Sequence, residues 1–131
     1  MKTTLKVLSV LLIFLFSACD KEEVNLDSNS LPGKWVMSET LTGIGDGLPK
    51  WKKTKSTVVL ELKNDGSLAG NAFPDYVRYT VKDSVTLIFH KADQTEQNYA
   101  YEFVNGKLSM SPNGPIWCTD GCGTRYTKVN D

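Results

Sequence analysis

Between Lys34 and Val129 the chain places apolar residues on every second position for a short run and then breaks at a turn. Val58, Leu60 and Leu62 alternate with Val59, Glu61 and Lys63 before Asn64-Asp65-Gly66 ends the run, a strong hairpin signal. Val85, Leu87 and Phe89 alternate with Thr86, Ile88 and His90, and Tyr99, Tyr101 and Phe103 share one face before Asn105-Gly106 turns into Leu108 and Met110. A helix needs apolar residues three and four positions apart, and no stretch sustains that stripe. Adding Lys34 to Thr42, Ser67 to Ala72, Tyr76 to Val81 and Thr124 to Val129 predicts eight strands. The expected fold is all-β: an eight-stranded antiparallel up-and-down meander closing into a small barrel. Closure removes the free edges that would otherwise pair with other chains.

The start of the chain has a different character. Lys2 and Lys6 precede an apolar run from Val7 to Phe16, too short for a membrane span of about 20 residues. Its proportions are those of a removable export signal, residues 1–18. Phe16-Ser17-Ala18-Cys19 resembles the lipobox of bacterial lipoproteins, with Phe16 where Leu is usual. That resemblance implies lipidation at Cys19, whose thiol would carry the diacylglyceryl group, and hence attachment to a membrane without spanning it. Residues 19–30, with Asp20-Lys21-Glu22-Glu23, read as a flexible acidic tether. This acidic stretch also resembles the surface-export signal of Bacteroidota lipoproteins, which implies an outer-membrane lipoprotein exposed at the cell surface, or otherwise one facing the periplasm. Residues 31–131 are left as the folded domain.

Fifteen basic and fifteen acidic residues give no basic stripe, which argues against nucleic acid as a partner. With Cys19 lipidated, Cys118 and Cys122 remain as a pair in an oxidising compartment, with Asp120-Gly121 between them to turn the chain. A structural disulfide is expected rather than a metal site or a redox pair. The single histidine, His90, cannot complete a four-ligand zinc site, and the spacing is not that of a two-residue redox motif. No metal or cofactor is expected. Neither a nucleophile elbow nor a phosphate-cradling glycine loop is present, so the chain does not read as an enzyme. Asp83-Ser84-Val85 matches a short O-glycosylation pattern of Bacteroidota, and a Lys-Asp-Ser turn accounts for it equally.

Gly33-Lys34-Trp35 on the first strand resembles the Gly-X-Trp that opens lipocalins and their relatives. Together with Leu31-Pro32 before it, the Asn-Asp-Gly hairpin and Cys118-X3-Cys122 before Arg125-Tyr126, it resembles the small lipocalin-like lipoproteins of Bacteroidota over residues 31 to 129. The resemblance implies that Arg125 packs over Trp35 and, with Gly33, closes one end of the barrel. It also implies that the loop from Thr42 to Ser56, which carries Trp51 among four lysines, covers the open mouth.

If Trp35 points inward, a period of two puts Met37 and Glu39 on the same inner face. Candidate ligand contacts are therefore Met37, Glu39, Trp51, Tyr79, Tyr101 and Phe103. The favoured expectation is a binder of a small apolar or amphipathic ligand. The alternative is a solid barrel whose Trp51 and Trp117 loops recognise a protein, as an inhibitor or accessory subunit would. A cavity of a few hundred Å³ separates the two.

Overall fold

A computed structural model describes residues 30–43, 47–118 and 121–130. The leader, Cys19 and all of the tether except Ser30 lie outside the described residues, as do Thr119 and Asp120 of the cysteine hairpin. The described chain is all-β. Its strands are β1 (Gly33–Thr42), β2 (Lys50–Lys53), β3 (Val59–Leu62), β4 (Leu68–Gly70), β5 (Tyr76–Asp83), β6 (Thr86–Lys91), β7 (Glu96–Val104), β8 (Lys107–Pro112) and β9 (Gly123–Val129). They form one antiparallel sheet in the order β4-β3-β1-β9-β8-β7-β6-β5, with β2 also paired to β1.

The eight expected strands all appear, within a few residues of their expected ends. Turn chemistry explains most of the boundaries. Asp65 Oδ1 accepts the Ser67 N–H at 2.9 Å and Asp83 Oδ1 accepts the Val85 N–H at 2.9 Å, so each carboxylate closes its own turn. The expected loop from Thr42 to Ser56 holds a ninth strand instead. β2 pairs with the second half of β1, Leu41 opposite Trp51, while β3 pairs with the first half, Trp35 opposite Leu60. Two bonds bridge the interruption, Met37 N to Val58 O and Thr54 N to Ser38 O. β2 and β3 thus act as one broken partner for β1, and the barrel keeps eight sides.

The seam between β4 and β5 is nearly closed. Ser67 bridges Arg78, the Tyr79 N–H donates to Gly66 O at 2.8 Å, and the Tyr79 hydroxyl donates to Lys63 O at 2.8 Å.

Inward-facing side chains fill one pole. Trp35, Leu60, Leu62, Leu87, Phe89 and Leu108 are fully or almost fully buried, with Phe103 tilted against Trp35 at 6.1 Å. Trp35 donates its indole N–H to Leu31 O at 2.9 Å, so the indole is both core and end-cap.

A cation does cover Trp35, but it is Lys128 and not Arg125. Lys128 Nζ sits 5.1 Å from the indole centroid and donates to Ser30 O at 2.8 Å. Strand register is the reason. Trp35 lies opposite Lys128 across the β1–β9 ladder, and Arg125 is an odd number of residues away, on the opposite face of the sheet. Gly33 makes room for this cap: a Cβ there would meet Lys128 Cε at 2.5 Å, and its φ of +142° suits glycine.

Truncating Trp35 removes the largest buried side chain and opens a cavity at this pole. Trp35→Ala is expected to lower stability by about 3–5 kcal/mol, read as a lower urea midpoint with an unchanged slope.

Candidate functional site

The pole opposite Trp35 is open. It is framed by the ends of β1 and β8, the starts of β7 and β9, and the chain between β4 and β5. A cavity of about 330 Å³ enters there, with Thr40, Phe73, Tyr99, Met110, Thr124 and Tyr126 among its lining residues. Phe73 reaches in from the β4–β5 connection and meets Phe89 edge-on at 4.9 Å and Tyr99 at 5.2 Å. Below this aromatic ring the barrel is packed. The mouth is therefore a shallow cup on a solid base.

The cup carries hydroxyls and no ionised side chain. Burial pushes the Tyr126 phenol up to about 12 and the Tyr99 phenol higher still, so both stay protonated through the physiological range.

Its neutrality depends on a β-bulge. Met37 lies opposite Tyr126, Glu39 opposite Arg125 and Thr40 opposite Thr124, so Ser38 is the extra residue. Tyr126 and Thr124 face inward, so Met37 and Thr40 do too, and Glu39 is turned onto the outer wall. The expectation that Glu39 shares the inner face with Met37 is corrected here: an unbroken period of two would have aimed the carboxylate into the cup.

On the outer wall Glu39 is 9% exposed and fully engaged. Lys107 Nζ donates to Oε1 at 3.0 Å and Arg125 donates from a terminal guanidinium nitrogen to Oε2 at 3.2 Å. The Lys107 hydrogen bond holds the carboxyl below the ordinary carboxylate range; burial opposes this and the Arg125 bond adds to it. Arg125 in turn lies 3.9 Å from the centroid of the Trp51 ring. Trp51 reaches across β1 to β9, where a Cβ on Gly123 would meet the indole at 2.8 Å. Trp51 therefore caps an outer ion-pair network and does not cover the mouth.

The other sequence candidates also lie away from the cup. Tyr79 sews the β4–β5 seam. Tyr101 donates its hydroxyl to Asp83 O at 3.2 Å and meets Phe103 edge-on at 6.2 Å near the filled pole. Met37 packs partly buried against the core. None of these six lines the cup. The residues that do were legible only in part. Tyr99 shares the alternation of Tyr101 and Phe103, but nothing in the sequence says which end of β7 meets the opening. Phe73 sits in a connection with no periodicity.

Two loops make the rim. Cys118 and Cys122 are joined by the expected disulfide, with Cα atoms 5.7 Å apart. Gln97, 2% exposed, holds the neighbouring loop by two reciprocal bonds, donating to Ile116 O at 2.9 Å and accepting the Ile116 N–H at 3.1 Å. Leu48 on the β1–β2 connection and Ile116 and Trp117 on the β8–β9 connection are about two-thirds or more exposed.

His90 faces outward and is buried. Its Nε2 lies 2.9 Å from Thr80 Oγ1, which links β6 to β5, while its Nδ1 lies 3.2 Å from Glu96 Oε1 without hydrogen-bond geometry. Among the described residues no cluster of three or more metal-ligating side chains occurs. No family model, curated protein or solved structure matches the chain.

Glu39 stabilises in its ionised form, because its folded-state value lies below its unfolded one. That contribution is present above the ordinary carboxylate range and is lost as pH falls through the folded value. Glu39→Gln is expected to cost about 1–3 kcal/mol at neutral pH by leaving Arg125 and Lys107 without their shared partner. Denaturation at a series of pH values should show this difference narrowing below about pH 4.

Proposed function

We propose that the protein is a lipid-anchored, extracytoplasmic barrel that binds a small uncharged apolar or amphipathic ligand in its mouth. The observation that carries this reading is the cup of about 330 Å³ above a filled core, lined by aromatic rings and hydroxyls without a charge. That volume lies at the lower end of small-molecule pockets. Binding would come from desolvating apolar surface against Phe73, Tyr99 and Met110, with orientation set by one or two hydrogen bonds to Thr40, Thr124 or Tyr126. A charged ligand would lose its hydration there without finding a counter-ion. The protein would act by binding, without catalysis and without a cofactor or metal.

The rest of the reading comes from the sequence. The leader and Cys19 support lipidation, the acidic residues after Cys19 support exposure at the outer-membrane surface, and the Gly33-X-Trp35 opening supports kinship with lipocalin-like lipoproteins of Bacteroidota. The chain enters the barrel at the filled pole, where Ser30 meets Lys128. With the anchor at Cys19, the mouth would then be at the pole away from the lipid.

A second reading, a protein-interaction module, is favoured by the exposed Leu48, Ile116 and Trp117 on the rim. Native mass spectrometry of the full chain from its own cells separates the two. The ligand reading predicts a stoichiometric adduct that disappears on denaturation. It also predicts loss of that adduct in Thr124→Trp, which fills the cup, with an unchanged circular dichroism spectrum. A bare native mass contradicts the ligand reading and points to a protein partner.

A further inference from the structure

The strand β2 has a strand neighbour on one side only. It pairs with β1, and the next segment around the barrel, Asn71 and Ala72, bonds Thr57 and Val59 but no residue of β2. The ladder shows which main-chain groups are left over. The Thr54 N–H donates to Ser38 O at 2.9 Å, so Lys53 and Glu39 form a non-hydrogen-bonded pair and Lys52 and Thr40 a hydrogen-bonded one. Trp51 and Lys53 therefore turn both their N–H and their C=O away from β1. Among the described residues nothing pairs with these four groups. Another extended chain, lying about 4.8 Å away, offers donors and acceptors at the spacing such an edge needs.

The side chains along this edge are of one sign. Lys50, Lys52 and Lys53 make up three of the four residues of β2, all exposed, and Lys55 just beyond is exposed as well. From Gly47 to Val58 the sequence holds no acidic residue. Glu39 lies across the ladder from Lys53 but is already held by Lys107 and Arg125. None of the lysines of β2 forms an ion pair among the described residues.

This combination selects its neighbour. Like charges directly opposite one another destabilise a strand pair, so the edge rejects a second copy of itself and favours a strand that brings carboxylates. A chain antiparallel to β2 meets Lys53, Lys52, Trp51 and Lys50 in that order, and the matching order of residues is acid, acid, apolar, acid. A polyanion without a peptide backbone, or an anionic lipid surface, answers the lysines but leaves the main chain of Trp51 and Lys53 unpaired.

We infer that the free edge of β2 is a docking site for an extended acidic segment of a partner protein, which joins the sheet as a further strand through the main chain of Trp51 and Lys53 and is selected by Lys50, Lys52 and Lys53. No residue of β2 lines the cup, and the site depends on neither reading of the mouth.

The test is amide hydrogen exchange and a two-dimensional amide NMR titration of the full chain with the peptide Thr-Thr-Glu-Glu-Val-Glu-Thr-Thr. In the free protein the Trp51 and Lys53 amides should exchange faster than that of Lys52. The peptide should slow exchange at Trp51 and Lys53 and leave Thr124 and Tyr126 in the cup unmoved. Methylating the peptide's valine nitrogen, which would donate to Trp51 O, should abolish binding. Lys52→Glu, an exposed change, should weaken binding about tenfold, and a peptide with lysine for its second glutamate should restore it. The proposal is overturned if the peptide does not bind up to millimolar concentration, or if Lys52→Glu leaves the affinity unchanged. Binding that survives methylation would mark a general surface for polyanions and overturn it equally.

Discussion

The bulge at Ser38 decides what kind of interior this barrel has. A strand that alternates without interruption sends residues an even number apart to the same face. One inserted residue reverses that assignment for everything beyond it. Before the bulge, β1 sends Trp35 and Met37 inward; after it, Thr40 faces inward and Glu39 outward. The inner surface near the mouth therefore receives a hydroxyl where it would have received a carboxylate. The outer surface gains an acid that gathers Lys107, Arg125 and, through Arg125, Trp51. A neutral cup and a charged outer network are two consequences of the same backbone irregularity.

The two poles divide the remaining work. At the filled pole Trp35 is fully buried opposite Leu60 and against Phe103, tied by its N–H to Leu31 and capped by Lys128. An eight-stranded barrel is near the size at which side chains just fill the interior, so a solid pole supplies a core that a shallow cup cannot. At the open pole the loops carry the variety: the disulfide, the Gln97-held turn and three exposed apolar side chains. The packed core and the open, loop-lined mouth thus lie at opposite ends, as loops on a rigid frame allow.

The strands were legible in the sequence and the site was not, and the difference is physical. Strand positions follow from local alternation and from turns such as Asn64-Asp65-Gly66 and Asn105-Gly106, which act within a few residues. The disulfide was legible because two cysteines four apart have little choice of partner. What a side chain touches across the barrel depends on register, which no local pattern carries. The sequence resemblance put Arg125 over Trp35; Arg125 and Lys128 lie on the same strand, and only the ladder shows that Lys128 is the one that faces the indole. Glu39 left its expected face through a single inserted residue with no turn residue to announce it. Trp51 reads as part of a mouth-covering loop of glycines and lysines, yet Lys50–Lys53 pairs because the second half of β1 needs a neighbour. Phe73, central to the cup, had no signal at all.

The most direct test of the account compares one ring system with and without a charge. N-phenylnaphthylamine and anilinonaphthalene sulfonate share their aromatic frame, and both brighten on leaving water. A neutral cup beneath an open mouth predicts saturable one-to-one binding of the uncharged amine, much weaker binding of the sulfonate, and loss of the amine signal when Thr124 is replaced by Trp. Equal or tighter binding of the sulfonate, or amine binding that survives the filled cup, would contradict it.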